Sequence, residues 1–371
     1  MNRFQVVRVE SDSSEHQGLL IDAVEPLVIK LRHSHAANDV MAWRHWLRGP
    51  HLSLAFLIDD AAQARDAVAC ALASLRTWRA AHPARSLDEA GHLASSAALA
   101  RTEGDPRNIA PIFPRDAVTL VPYDRPHPAG IAALAEARDR FQARILDCAF
   151  DLAAVRTRDR TEFMLTLACM IASVGSVRQD DSFDFWPTSV TAHAHGWFRA
   201  THPKANVAVE RIAGSMCGPL GEVLDRFALM GRKYGDGERS PLLDAWMSAI
   251  ADLERDLRGV VGVHRDSLRA ATQASLVDAS GSNGHDDYTL THPSRRPWRD
   301  AAIGSSLHLR FRLLINLIYG VMPLFGVGPA ERACLCHALH MTCVDRFPEF
   351  WRTAEHSGRA LAERAFHGDI E

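Results

Sequence analysis

The rest of this chain is organised around Ser305–Asp345, here called the decisive stretch, which reads SSLHLRFRLLINLIYGVMPLFGVGPAERACLCHALHMTCVD. It contains no charged residue between Leu313 and Ala330. A helix that is apolar on nearly all sides is buried in a protein core rather than placed on the surface. The pattern therefore predicts a buried helix around which the rest of the chain is organised.

Four polar side chains lie in this helix or at its beginning: Arg310, Arg312, Asn316 and Tyr319. Arg312, Asn316 and Tyr319 are spaced by four and three residues, so on a helix they share one face. Buried polar groups need hydrogen-bond partners. The polar stripe thus indicates either a satisfied core network or interdomain seam, or the wall of a cavity that receives a substrate.

The composition narrows the class of protein. Of 371 residues, 47% are hydrophobic and 23% are charged, which is ordinary globular usage. A net charge of −3 argues against general nucleic-acid binding. The apolar stretch contains Gly and Pro and is closely flanked by charges, so we predict a core segment and no membrane span. The amino terminus lacks the long apolar segment of a secretory signal.

The cysteines indicate a cytoplasmic protein with reduced thiols. There are seven, and their spacing does not suggest a disulfide framework. Cys334 and Cys336 are separated by one residue, which is not the spacing of a metal motif, so we predict no metal site there. The phosphate-binding, zinc-hydrolase and serine-hydrolase motifs GxGxxG, GxxxxGK[ST], HExxH and GxSxG are absent, which disfavours those chemistries.

Strand patterns occur early in the chain and helical patterns later. Three segments are predicted as strands, the second of them half-buried because it alternates polar and apolar residues: Phe4–Val9, His51–Leu57 and Ala117–Tyr123. Residues 82–116 are predicted as an irregular excursion, and the Gly- and Ser-rich residues 276–296 as a mobile loop. Without regular strand–helix alternation, we predict an α+β fold in which residues 1–371 form a single domain.

A basic and aromatic run, Trp43–His51, precedes the second strand and contains Arg44, Arg48 and His51. Arg44 and Arg48 are four residues apart and would share a face if the run were helical. Arginine binds carboxylate or phosphate in a bidentate manner. The run is therefore either a rim that faces an anion or a peptide, or a basic surface turn packed on its tryptophans.

An acidic and aromatic loop that contains Trp186 is followed by His193 and His195. The two histidines are two residues apart, so on a helix they diverge by about 200° and a shared metal is not expected. One of them is a candidate general acid or base because its pKa lies near working pH. The alternative is a histidine on each side of a surface helix.

Two segments resemble a known family. Gly49-Pro50-His51-Leu52-Ser53-Leu54-Ala55-Phe56 resembles the GPHLRLRF strand of the lantibiotic dehydratase carboxy-terminal domain. Asn316–Cys336 resembles the later helix pair of that family. Its sequence pattern is similar to that of the helix pair in the stand-alone thiopeptide pyridine synthases, the formal aza-[4+2] cyclases. Tyr319 stands where glutamate-eliminating members carry a histidine, and Ser53 and Ala55 replace the arginines of the strand. The resemblance implies a helix-rich single domain with an antiparallel sheet.

The resemblance also implies a function. A ribosomal precursor peptide binds through its leader, and two of its dehydroalanines are joined into a pyridine without a cofactor. Tyr319 would donate a proton to an amide oxygen, and His193 or His195 would shuttle protons during the eliminations. The implied partner is a peptide, with neither nucleic acid nor membrane, and the oligomeric state stays open. The expected substrate-binding residues are Arg44, Arg48, His51, Trp186, Arg310, Arg312 and Asn316.

Two other functions stay open at this point. One is a glutamate-eliminating lyase that partners a split dehydratase, which would need the histidine and the arginines that this chain lacks at positions 319, 53 and 55. The other is a peptide-binding scaffold without catalytic activity. The sequence alone does not distinguish a scaffold from a cyclase.

Overall fold

The computed structural model describes residues 4–37, 39–58, 61–103, 107–125, 130–174, 189–190, 203–227, 229, 238, 240–281 and 305–349. Helices dominate these residues, and a small antiparallel sheet accompanies them, so the predicted α+β class is confirmed. The chain groups into two compact units. Unit 1 comprises Met1–Pro126, Gln142–Asp159 and Val321–Val327, and unit 2 comprises His127–Phe141, Arg160–Gly320 and Gly328–Glu371. The single-domain interpretation stays a prediction.

Unit 1 contains a four-stranded antiparallel sheet with the strand order β2-β3-β1-β4. Its strands are β1 (Phe4–Glu10), β2 (Asp39–His45), β3 (His51–Leu57) and β4 (Val118–Val121). The three predicted strands are confirmed. Sequence reasoning missed β2 because Arg44 and His45 interrupt its apolar pattern.

Strand β3 is central in the sheet, and this corrects one expectation. The prediction of a half-buried strand was wrong, since every residue from His51 to Phe56 is buried. Both faces of a central strand are covered when other elements pack on each side of the sheet. His51 and Ser53 are therefore buried polar residues rather than solvent-facing ones.

Unit 1 also contains helices. They are α1 (His16–Leu19), α2 (Glu25–His33), α3 (Ala61–Ala81), α4 (Glu89–Glu103) and α6 (Leu146–Arg158), with a π-helical turn at Leu20–Val24 between α1 and α2. Of these, α3 and α6 contact the sheet. Pro26 occupies the first turn of α2, where its missing N–H costs no hydrogen bond. Helix α4 lies within the predicted excursion 82–116. Helix α5 (Ala132–Arg144) contributes to both units.

Unit 2 is helical in its described part. Its helices are α7 (Arg160–Ser173), α8 (Pro203–Arg226), α9 (Pro241–Gly281, kinked at His264), α10 (Ser306–Val321) and α11 (Pro329–Arg346). Trp246 is fully buried, and its Nε1 donates to the carbonyl of Met170 at 2.9 Å. The predicted mobile loop 276–296 begins inside α9, because the helix continues to Gly281. Residues 282–304 lie outside the described residues.

The decisive stretch forms two helices and the turn between them. Helix α10 ends at Val321 because Pro323 cannot continue it, and Gly326 takes a positive φ of 77° in the turn that follows. Asn316 and Gly320 are exposed, so the expectation of a helix buried on all sides was wrong. None of the helices in the described residues combines the length and the apolar character needed to cross a membrane.

We predict that Gly49→Ala lowers the free energy of unfolding by about 2 kcal/mol. Gly49 has a φ of +109°, which side-chain-bearing residues rarely adopt. An added Cβ would also lie 2.9 Å from Glu10 Oε2 and 3.2 Å from Ile112 Cγ2. Urea unfolding monitored by circular dichroism measures the change.

The matched control is Gly214→Ala in α8, where an added Cβ meets nothing within 4 Å. A glycine inside a helix is less favourable than alanine, so this variant should gain about 0.8 kcal/mol of stability. Equal stability of the two alanine variants would contradict the assigned strain at Gly49.

Candidate functional site

The register of the sheet gathers polar side chains at one end of one face of unit 1. Arg8 is opposite Ser53, Glu10 is opposite His51, and His45 is opposite the same His51. Partners in an antiparallel ladder point to the same face. We call Arg8, Glu10, His45 and His51 the strand-end cluster.

Arg8 is buried and connects this cluster to the turn before β3. Its guanidinium bonds to a carboxylate oxygen of Glu10 and donates to the carbonyls of Leu47 at 3.2 Å and Arg48 at 2.9 Å. It also lies 4.1 Å from the centre of the Phe113 ring. A buried charge needs this kind of full pairing. Arg8 therefore fixes the turn that delivers His51 to the strand.

Arg48 is held in the same turn. It has a positive φ of 58°, its Nε donates to the carbonyl of Pro111 at 2.9 Å, and its guanidinium lies 4.4 Å from the centre of the Phe113 ring. The side chain is half-buried. Arg44 lies in β2 and Arg48 lies in a turn, so the helical arrangement in which they would share a face is not formed.

His51 is buried and neutral at working pH. Burial, and next the charge of Arg8, lower its pKa well below the usual value. Its Nδ1 is 2.8 Å from the carbonyl of Gly49. A carbonyl only accepts, so Nδ1 carries the proton and Nε2 carries the lone pair. His51 is thus an acceptor at Nε2.

The positions that carry arginine in the resembled strand are filled by small side chains here. Ala55 belongs to a buried apolar cluster with Val6, Met41 and Trp43. Ser53 is 3% exposed and lies between Arg8 and Trp43 in the register. Arg8, on the neighbouring strand, lies opposite Ser53, and its guanidinium is already paired with Glu10.

A second feature of unit 1 is the turn Val321–Val327. Nε2 of His16 donates to the carbonyl of Leu324 at 2.6 Å, and Arg156 donates to the carbonyl of Gly326 at 3.0 Å. Burial, and then the charge of Arg44, lower the pKa of His16 to about 3. A neutral histidine thus anchors the segment that follows α10.

Tyr319, the predicted proton donor, is 4% exposed in unit 2. Its hydroxyl is 3.6 Å from Sγ of Cys336 and forms a side-chain hydrogen bond with Ser189, and the guanidinium of Arg332 lies 5.5 Å from its ring centre. Burial, and next Cys336, raise the pKa of the phenol well above 10. Burial also raises the pKa of the Cys336 thiol to about 11. Tyr319 therefore keeps its proton and can act as a neutral hydrogen-bond donor.

The other predicted residues of α10 have different surroundings. Arg310 is buried and pairs with Glu254 at 2.9 Å, and Arg258 lies 3.2 Å from the same carboxylate. Arg312 is half-buried, and burial lowers its pKa. Asn316 is exposed. In the predicted stripe, Arg312 is therefore half-buried, Asn316 is exposed and Tyr319 is buried. Arg310 belongs to a core ion pair.

Three predicted site residues, Trp186, His193 and His195, lie outside the described residues. Within the described residues, no group of three or more His, Cys, Asp or Glu side chains could hold a metal ion. Sequence reasoning missed Arg8, Glu10, His16 and Arg156. The first two had a weak signal, since charged residues at the end of an apolar strand pattern need a buried partner.

No protein-family model matches the sequence, and no curated protein matches it significantly. Among solved structures, the chain is similar to the pyridine synthase TbtD from thiomuracin biosynthesis, with a TM-score of 0.66 and 17% identity over 94% of this chain and 100% of that one. It is also similar to TsrL, with a TM-score of 0.59 and 14% identity over 95% of this chain and 98% of that one. The likeness shows a shared fold, and it confirms the fold that the sequence resemblance predicted.

We predict that His16→Gln makes stability less sensitive to acid. In the unfolded chain His16 binds a proton near its ordinary pKa of 6.5, whereas in the folded protein it does so only near 3. Stability is therefore fully present above 6.5 and falls as pH decreases toward 3, by about 1.4 kcal/mol per pH unit for each such histidine. His51 contributes in the same direction. In His16→Gln the free energy of unfolding should therefore fall less steeply with decreasing pH, by the contribution of one histidine.

Urea unfolding at a series of pH values below 6.5 measures this slope. Glutamine retains a donor for the carbonyl of Leu324. The matched control is His33→Gln, which replaces an exposed histidine of α2 and should show the same dependence of stability on pH as the wild type. Identical slopes for His16→Gln and the wild type would contradict the assignment.

Proposed function

We propose that this protein matures a ribosomal precursor peptide by closing a pyridine, or a related six-membered nitrogen heterocycle, from two dehydroalanines. The observation that carries the proposal is the fold likeness to the pyridine synthase TbtD, which extends over nearly the whole chain. The resemblance of Asn316–Cys336 to the helix pair of the stand-alone cyclases supports it independently. The proposed partner is a precursor peptide that still carries its leader.

In the proposed reaction, one dehydroalanine and its neighbouring amide tautomerise to a 2-azadiene, and the other dehydroalanine is the dienophile. Two carbon–carbon bonds form. Loss of water and expulsion of the leader as a carboxamide then give the aromatic ring. No oxidant is required, because the two eliminations supply the unsaturation.

The enzyme has two physical tasks in this reaction. It must hold the two alkenes within reach of one another. In well-oriented cases this proximity effect lowers the activation barrier by about 7 kcal/mol or more. It must also stabilise the iminol form and protonate the leaving groups. Tyr319 suits hydrogen-bond donation to the iminol oxygen, because its phenol is neutral and burial raises its pKa further.

Other residues enter the proposal with narrower roles. His193 or His195 would move protons during the eliminations, and Trp186 would contact the peptide. Arg312 and Asn316, which are half-buried and exposed, would orient the peptide backbone. Arg310 is not part of the proposal, because Glu254 already pairs with its guanidinium. In unit 1, Arg44, Arg48 and His51 are proposed peptide contacts.

The residues of β3 in unit 1 argue against the alternative function, a glutamate-eliminating lyase. That reaction must hold a glutamyl carboxylate, for which arginine is the suitable side chain. Ser53 and Ala55 are both buried, and Ala55 lies inside an apolar cluster. The lyase would therefore have to bind its carboxylate elsewhere.

We predict that Tyr319→Phe slows turnover about a hundredfold or more while the affinity for the leader is unchanged. The substrate is a synthetic peptide with two dehydroalanines and an attached leader, and mass spectrometry measures the cyclised product and the released leader carboxamide. Phenylalanine keeps the ring packing and removes only the hydroxyl. The matched control is Tyr123→Phe, whose ring stacks on Phe4 at 4.9 Å in unit 1, and it should turn over like the wild type.

The same assay separates the three functions. Release of the leader carboxamide supports the cyclase. Loss of glutamate from a glutamylated peptide in place of cyclisation supports the lyase, and binding without turnover supports a scaffold. Near-normal turnover by Tyr319→Phe would remove this residue from the mechanism.

A further inference from the structure

Arg332 has an unusual environment among the arginines of unit 2. It lies at the beginning of α11 and is half-buried. In the described part of the chain, the contact of its guanidinium is the ring of Tyr319, whose centre lies 5.5 Å away. The attraction of a cation to an aromatic face uses none of the five N–H donors of the guanidinium. These donors are therefore available to a ligand beside Tyr319.

Ion pairing explains the positions of other arginines in unit 2. Arg310 pairs with Glu254 at 2.9 Å, and Arg346, at the other end of α11, pairs with Asp225 at 2.9 Å. Among the described residues, the guanidinium of Arg332 has no such carboxylate partner. Its position beside Tyr319 needs another explanation.

Helix stability does not explain Arg332 either. The amino-terminal end of a helix is the positive end of its dipole, which favours a carboxylate and disfavours a guanidinium. The adjacent Glu331 follows this rule, since its carboxylate accepts from the backbone N–H of Gly328 at 3.2 Å and from Arg160 at 3.0 Å. Arg332 is a cation at the unfavourable end of the helix.

A second residue of α11 reaches Tyr319 from the same side. Cys336 is four residues after Arg332, so the two share one face of the helix. Sγ of Cys336 lies 3.6 Å from the hydroxyl of Tyr319. Burial, and next Cys336, raise the pKa of the phenol, whereas the charge of Arg332 acts to lower it. A permanent cation thus lies beside a neutral hydrogen-bond donor.

We propose that Arg332 is a further catalytic residue, whose guanidinium binds the same peptide oxygen as the hydroxyl of Tyr319, that of the amide that tautomerises. This assignment rests on the proposed function. The amide oxygen gains negative charge as its N–H proton is removed, and a cationic donor stabilises that charge more strongly than a neutral donor does. The same contact assists the later departure of this oxygen as water.

The first test measures binding and needs no turnover. It uses the full chain and two fluorescent peptides: the leader alone, and the leader followed by a core with alanine in place of both dehydroalanines. The core contains no acidic residue and ends in a carboxamide, so an arginine contact to it reports an amide oxygen. Arg332→Gln should weaken binding of the leader–core peptide about tenfold, as fluorescence anisotropy measures, and leave the affinity for the leader alone unchanged.

The second test is a double-mutant cycle on the turnover of the dehydroalanine peptide. Arg332→Gln should lower kcat about a hundredfold, and Arg332→Lys, which keeps the charge but loses the planar geometry, should retain an intermediate rate. Because both side chains bind one oxygen, the combination of Arg332→Gln with Tyr319→Phe should cost less than the product of the two single effects. A role in stability alone would multiply the two effects.

The matched control is Arg211→Gln, at an exposed arginine of α8, and it should bind and turn over like the wild type. If Arg332→Gln does not fold, as judged by near-ultraviolet circular dichroism, Arg332→Lys is used in its place and should show smaller losses in the same direction. Wild-type binding of the leader–core peptide by the folded variant, or full multiplication of the two effects on kcat, would overturn the proposal. A wild type that binds without turnover contradicts the proposed function, and the binding test then still decides whether Arg332 contacts the peptide.

Discussion

The buried ion pair of Arg8 with Glu10 is the interaction on which the sheet end of unit 1 depends. Arg8 is 6% exposed and Glu10 is fully buried, so each charge would be costly without the other. The same guanidinium also satisfies backbone carbonyls in the turn before β3. Arg8 lies in β1 and bonds both to Glu10 and to the turn before β3. These contacts hold the turn in place and thereby position His51, which follows it.

Buried side chains also hold the backbone of the turn Val321–Val327. This segment belongs to unit 1, although the helices on either side of it belong to unit 2. The carbonyls of Leu324 and Gly326 accept hydrogen bonds from His16 and Arg156, and Gly326 supplies the positive φ that the turn requires. Burial keeps His16 neutral, so the anchor is a hydrogen bond that does not depend on charge at neutral pH.

Three buried side chains of the candidate site, His51, Tyr319 and Cys336, are neutral donors or acceptors. Tyr319 and Cys336 keep their protons because burial disfavours their anions, and His51 keeps a lone pair because burial disfavours its cation. The proposed cyclisation of a neutral peptide needs such groups more than it needs a strong nucleophile. The arginines divide into those already paired in the core, such as Arg310, and those such as Arg44, which have no carboxylate directly bonded to them among the described residues.

The sequence predicted the α+β class, three of the four strands, a helix in the decisive stretch and the resemblance of Asn316–Cys336. These features depend on local periodicity and on residues close together in the chain. The folded protein alone shows that Arg310 belongs to a core ion pair, that Asn316 is exposed and that His16 bonds to Leu324, a residue 308 positions away. The hydrogen-bond and ion-pair partners of a buried polar side chain depend on which distant segments pack against it. The spacing of residues along the sequence does not show these partners.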